Sequence, residues 1–144
     1  MWGLCAWVWF RFFGVSESKF PPDIGSASYM AQSPTLSKYP TIEYNKETIW
    51  EEVERIVEEC TGKSFTIGQN LFFQVPFFAN PIFFYRPEYD EWIEDVMLMD
   101  QFSIPLARSL DEAPAHRMEM YRIIKQELNA CQKHQQDKDG RQKT

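Results

Sequence analysis

The sequence predicts a mainly helical α+β fold, and three observations carry that prediction. Apolar residues recur at helical spacing in three separate stretches, near 46–60, 87–99 and 114–132. A short segment between the first two alternates apolar and polar residues. It leads into an aromatic run broken by Pro76, Pro81 and Pro87. Together these give three to four amphipathic helices with a short β-hairpin and an aromatic-rich loop.

Residues 1–39 read as an apolar segment followed by a flexible arm. Met1 to Phe13, MWGLCAWVWFRFF, is interrupted only by Arg11. It is shorter than the ~20 apolar residues a membrane-spanning helix needs. It also lacks the basic start of a secretory signal. Three arrangements fit it: lying on a membrane surface with its tryptophans at the interface, packing against the domain as an added element, or standing outside a functional chain that begins at Met30. Ser16 to Pro40 is rich in serine and proline and reads as an extended linker.

A globular domain is expected over 40–132. Its first helix runs from about Lys46 to Cys60, with Asn45 as N-cap and Gly62 as the stop. Ile49, Trp50, Val53, Ile56, Val57 and Cys60 form the apolar stripe. Glu51, Glu52, Glu54, Glu58 and Glu59 form the solvated face. Ser64 to Val75 reads as the hairpin, turning at Gly68-Gln69-Asn70. Pro76 to Arg86 reads as an ordered aromatic loop or edge strand.

Pro87 suits the first position of a second helix, and Glu88, Asp90 and Glu91 favour its positive end. Tyr89, Trp92, Ile93, Val96 and Met97 make its stripe, which Leu98 and Met99 widen. Ser103 can cap a short helix to about Leu110. Asp111 and Pro114 then open a last helix to about Gln132, with Met118, Tyr121, Ile124, Leu128 and Cys131 inward. Residues 133–144 contain no apolar side chain and read as a disordered polar tail.

The chain has 144 residues and a formal net charge of −6, which argues against a general phosphate-backbone binder, so no nucleic acid is expected. Three widely spaced cysteines give neither a disulfide framework nor a cysteine-pair zinc site. They fit reduced thiols in the cytoplasm. His134 lies in the expected tail. His116 lacks the Glu-x-x-His spacing of a helical di-iron site, since Ala113 stands three residues before it. Gly62, Gly68 and Gly140 are isolated, so no phosphate loop is present. No catalytic residue, metal or cofactor is expected.

Phe72-Phe73, Phe77-Phe78 and Phe83-Phe84, extended by Tyr85, are the functional signal. In an extended chain each pair sends one ring to either face, so the segment needs apolar cover on both sides. The expectation is a non-enzymatic protein–protein interaction module: an adaptor, an assembly factor or a component of a larger complex. Its contact residues would be Phe72, Phe77, Phe78, Phe83, Phe84, Tyr85 and, at the rim, Arg86. The partner is another protein or a second copy of the chain. The alternatives are a small enzyme or ligand-binding domain whose phenylalanine-lined pocket is anchored by Arg86, Arg108 or His116, and a peripheral membrane protein held by residues 2–13.

Overall fold

The computed structural model describes residues 2–25, 27–60, 62, 64–103 and 115–142. Its elements are α1 (Trp2–Phe13), β1 (Tyr29–Gln32), β2 (Thr41–Tyr44), α2 (Lys46–Cys60), α3 (Ile67–Gln74), two short 3₁₀ turns (Val75–Phe77 and Pro81–Phe84), α4 (Pro87–Phe102) and α5 (Ala115–Gln142). A mainly helical α+β fold with one antiparallel hairpin is therefore present. Internal contacts divide it into two units, Met1–Tyr85 and Arg86–Thr144.

The first unit is built around α1, the second of the three arrangements open to that segment. A helix that is apolar on every side must be covered on every side, and eight consecutive residues, Gly3 to Phe10, are buried. The helix stops at Gly14, whose φ of 90° suits glycine. The Gly14 amide donates to the Phe10 carbonyl at 2.8 Å, a left-handed C-terminal cap. α1 packs chiefly against α3 and the second 3₁₀ turn.

The hairpin lies outside the segment that the alternation suggested. Tyr29 pairs with Tyr44 and Gln32 with Thr41, so β1 falls within the stretch expected to be an unstructured arm. Pairing extends past the strand end, where the Ser33 amide donates to the Pro40 carbonyl at 2.9 Å. Beneath the hairpin the rings of Phe20, Tyr29, Tyr44 and Phe78 follow one another at 5.2, 6.0 and 5.3 Å. The Tyr29 hydroxyl donates to the Phe78 carbonyl at 2.6 Å, and burial pushes its pKa up to about 12.

α2 spans the expected residues. Its N-terminus is closed reciprocally: Thr48 N–H donates to Asn45 Oδ1 at 2.9 Å, and Asn45 N–H to Thr48 Oγ1 at 2.6 Å. Ile49, Val53, Ile56 and Cys60 are buried as expected. Two assignments change. Trp50 is 39 % exposed, and Glu52, placed on the solvated face by its charge, is wholly buried.

Residues 67–74 form α3 rather than the second strand of a hairpin. The Thr66 hydroxyl accepts from Gln69 N–H at 3.2 Å and caps the helix, so Gly68-Gln69-Asn70 is its first turn. Gly68, Leu71 and Val75 are buried, which is helical spacing. Over so short a window, period two and period 3.6 share most of their positions. The following loop is ordered, as expected, but as two 3₁₀ turns and not an edge strand. Asn80 caps the second turn by accepting from Ile82 N–H at 3.0 Å.

In the second unit, α4 begins at Pro87 with Glu88 and Asp90 in its first turn. It ends at Ser103, whose φ of 54° and bond back to Met99 make it the C-cap of α4. The expected short helix 104–110 and the start at 111–114 lie outside the described residues. α5 runs on to Gln142, so residues 133–142, expected to be a disordered tail, are helical. Gln135 and Asp139, one turn apart, hydrogen-bond at 3.2 Å, and no helix breaker intervenes before Gly140. Trp92 meets His116, while Asp100 meets both Tyr121 and Lys125. The contacts advance together along both helices, so α4 and α5 run in the same direction here.

Candidate functional site: an aromatic surface on α1 and α3

The expected contact residues separate into buried and exposed sets. Phe78 is wholly buried and Phe84 only 3 % exposed, so neither ring reaches a partner, and both are corrected to core. Phe78 is held by Tyr44, and Phe84 by Phe83 and Trp50 at 5.2 and 5.3 Å. The two-sided demand of the paired phenylalanines is met inside the chain only in part: Phe78 and Phe84 are covered, whereas Phe73 and Phe77 stay exposed. Phe77 is 66 % exposed, Tyr85 is 40 % exposed over the Trp7 ring, and Arg86 is exposed. Phe72 and Phe83 are half-buried.

What the fold does assemble is a continuous run of rings at the α1–α3 contact. Trp9, wholly buried, lies 5.5 Å from both Phe13 and Phe72. Phe13 and Phe72 are themselves 5.3 Å apart. Phe12 stands 4.8 Å from Phe13, and Phe73 stands 5.5 Å from Phe72. The outermost rings, Phe12 and Phe73, are 39 % and 44 % exposed. Offset and edge-on rings at these distances attract beyond their area burial. Two packed helices therefore hold an apolar surface rooted in the core.

Phe12 and Phe13 were not singled out by the sequence, because they close a segment whose packing was open. The signal was the Phe-Phe pair itself, the same pattern as Phe72-Phe73. With Trp7 and Trp9 turned inward, α1 presents Phe12 outward rather than its central tryptophans.

A second constellation surrounds Glu52. Its carboxylate accepts from Ser33 Oγ at 2.5 Å, Thr35 Oγ1 at 2.7 Å and the Tyr44 hydroxyl at 2.9 Å. Arg55 Nε adds a bond at 2.7 Å and Nη2 an ion pair at 2.5 Å. Burial by itself would raise the Glu52 pKa. The bonds from Ser33, Thr35 and Tyr44, with the Arg55 charge, outweigh burial and hold it below the usual carboxylate range. The same burial, with the Glu52 carboxylate beside it, pushes Tyr44 well up. Among the described residues no buried side-chain polar atom lacks a partner. The carboxylate is thus fully engaged in joining the hairpin connection to α2, which is a structural task.

His116 is exposed and faces Trp92 in a groove between α4 and α5. No phenylalanine lines that groove, and neither does Arg86. Arg108 lies outside the described residues. Among the described residues no group of three histidine, cysteine or acidic side chains could hold a metal ion. No described helix is long and apolar enough to cross a membrane.

Compared with known proteins, the chain matches no family model, no curated protein and no solved structure.

Proposed function

We propose that this chain is a non-enzymatic protein–protein interaction module, an adaptor or component of a larger complex, that docks a partner protein through the Phe12–Phe13–Phe72–Phe73 surface. The single observation that supports it is the run of rings rising from buried Trp9 to two outer phenylalanines that remain about two-fifths exposed. Aromatic anchors that are rigid before contact lose little conformational freedom on binding, and such residues dominate binding energy at interfaces. Phe77 and Tyr85 are both exposed, which supports counting them in the contact surface as well. The cytoplasm suits such a module, since no disulfide joins Cys5, Cys60 and Cys131.

The test compares the wild-type chain with Phe12→Ser/Phe73→Ser by light scattering and by binding of a hydrophobic dye. We expect wild type to bind the dye and to associate, with its natural partner or with itself. The double variant should keep its helical circular dichroism and lose both properties. A wild-type chain that stays strictly monomeric and leaves the dye dark would remove the proposal.

A further inference from the structure

We propose that the groove between α4 and α5 binds a basic amphipathic helix of a partner protein, at a site separate from the aromatic surface of the first unit. The groove encloses about 690 Å³. Its floor is apolar: Val96, Met120 and Ile124 are buried, with half-buried Met99 and Trp92 beside them. Leu98, 47 % exposed, stands at its edge. One end is marked by Trp92 against His116, with ring centres 6.3 Å apart. Towards the other end, the Tyr121 hydroxyl donates to Asp100 Oδ1 at 3.1 Å, and Lys125 pairs with the same carboxylate. From Trp92 to Asp100 the helix rises about 12 Å, at ~1.5 Å per residue. That length accepts apolar side chains from two to three turns of a helix. Two methionines in the lining supply a surface that adapts to the shape of such side chains.

Charge selects the occupant. α4 carries Glu88, Asp90, Glu91, Glu94, Asp95 and Asp100 and has no lysine or arginine. Glu91, Glu94 and Asp95 line the groove on the α4 wall, and Arg117 lines it on the α5 wall, so the acidic side chains outnumber the basic one and lie along α4. Among the described residues no ion pair engages these three. A helix whose apolar stripe enters the groove would set its flanking positions against these carboxylates. Lysine and arginine there complement them, whereas acidic residues would be repelled.

The test uses a labelled synthetic 20-residue peptide with leucines at i, i+3, i+4 and i+7 spacing and lysines and arginines elsewhere. A scrambled peptide of the same composition and an amphipathic peptide with glutamates in place of the basic residues serve as controls. We expect only the first to bind. Its backbone-amide shifts should map to Trp92–Met99 and His116–Ile124, and raising the salt should weaken it about tenfold by screening. Glu91→Gln/Glu94→Gln/Asp95→Asn should weaken it about tenfold as well, with the amide spectrum otherwise unchanged. Phe12→Ser/Phe73→Ser should leave it intact, so loss of the aromatic surface and loss of the groove are told apart. Equal binding of the scrambled or acidic peptide would overturn the proposal, as would shifts mapping elsewhere or no binding at all. So would a groove already filled by a second copy, seen as shifts at these residues on dilution, or by another part of the same chain, seen as cross-links within it.

Discussion

The Tyr44 hydroxyl donates to the Glu52 carboxylate at 2.9 Å, and neither side chain reaches solvent. That bond joins the end of β2 to the middle of α2. Ser33 and Thr35 bring the hairpin connection to the same carboxylate. Removing the carboxylate would strand three hydroxyl donors and leave the partly covered Arg55 without its partner. We expect Glu52→Ala to lower stability by about 3–5 kcal/mol, the cost of breaking a buried charge pair. Denaturant titration of the purified variant checks this.

The same residue gives the chain an acid limb. The folded pKa of Glu52 lies below its unfolded value, so the unfolded chain takes up the proton more readily. Its stabilisation is full above the ordinary glutamate pKa of about 4.3. It declines as pH falls from there towards the folded value and is gone below it. Unfolding free energies measured between pH 7 and pH 2 should show this decline, and Glu52→Gln should flatten it.

Deleting residues 1–29 should abolish folding of the first unit. Leu4, Trp7, Val8, Trp9 and Phe10 are all buried. At about 1.5–3 kcal/mol for each large apolar side chain, their loss rivals the ~5–15 kcal/mol net stability of a typical domain. The deletion also removes Tyr29, which pairs with Tyr44 and bonds to the Phe78 carbonyl. A chain beginning at Met30 should therefore lose the amide-exchange protection of α2 and α3 that the full chain shows, whatever the second unit does.

Neighbouring phenylalanines should behave oppositely. Phe78→Ser empties a fully buried site and should cost at least about 3–5 kcal/mol, the range for Phe→Ala in a core. Phe77→Ser alters a ring that is 66 % exposed, so its stability should stay within about 0.5 kcal/mol of wild type. Thermal melts of the two variants side by side give the comparison.

These contrasts trace what the residues disclose on their own. Asn45, Pro87 and the stripes they introduce act locally, through capping and helical spacing, and α2 and the start of α4 are legible for that reason. The hairpin is not, because Tyr29–Gln32 and Thr41–Tyr44 owe their order to distant groups: Glu52 from α2 and the ring of Phe78. Glu52 itself reads as surface until its donors are known, since a charge is buried only where the fold brings partners to it. Residues 67–74 fit either period until Thr66 supplies a cap. The Phe72-Phe73 pair stands out in the sequence, but the ring of Phe13 beside Phe72 lies 59 positions away, and only the packing of α1 on α3 brings them together.

The account's central claim concerns the aromatic surface, and the most direct measurement is the molar mass of wild type and Phe12→Ser/Phe73→Ser by light scattering, alone and with the natural partner. The claim predicts a heavier particle for wild type and a folded monomer for the variant. Identical masses for the two proteins under both conditions, with both folded, would contradict it.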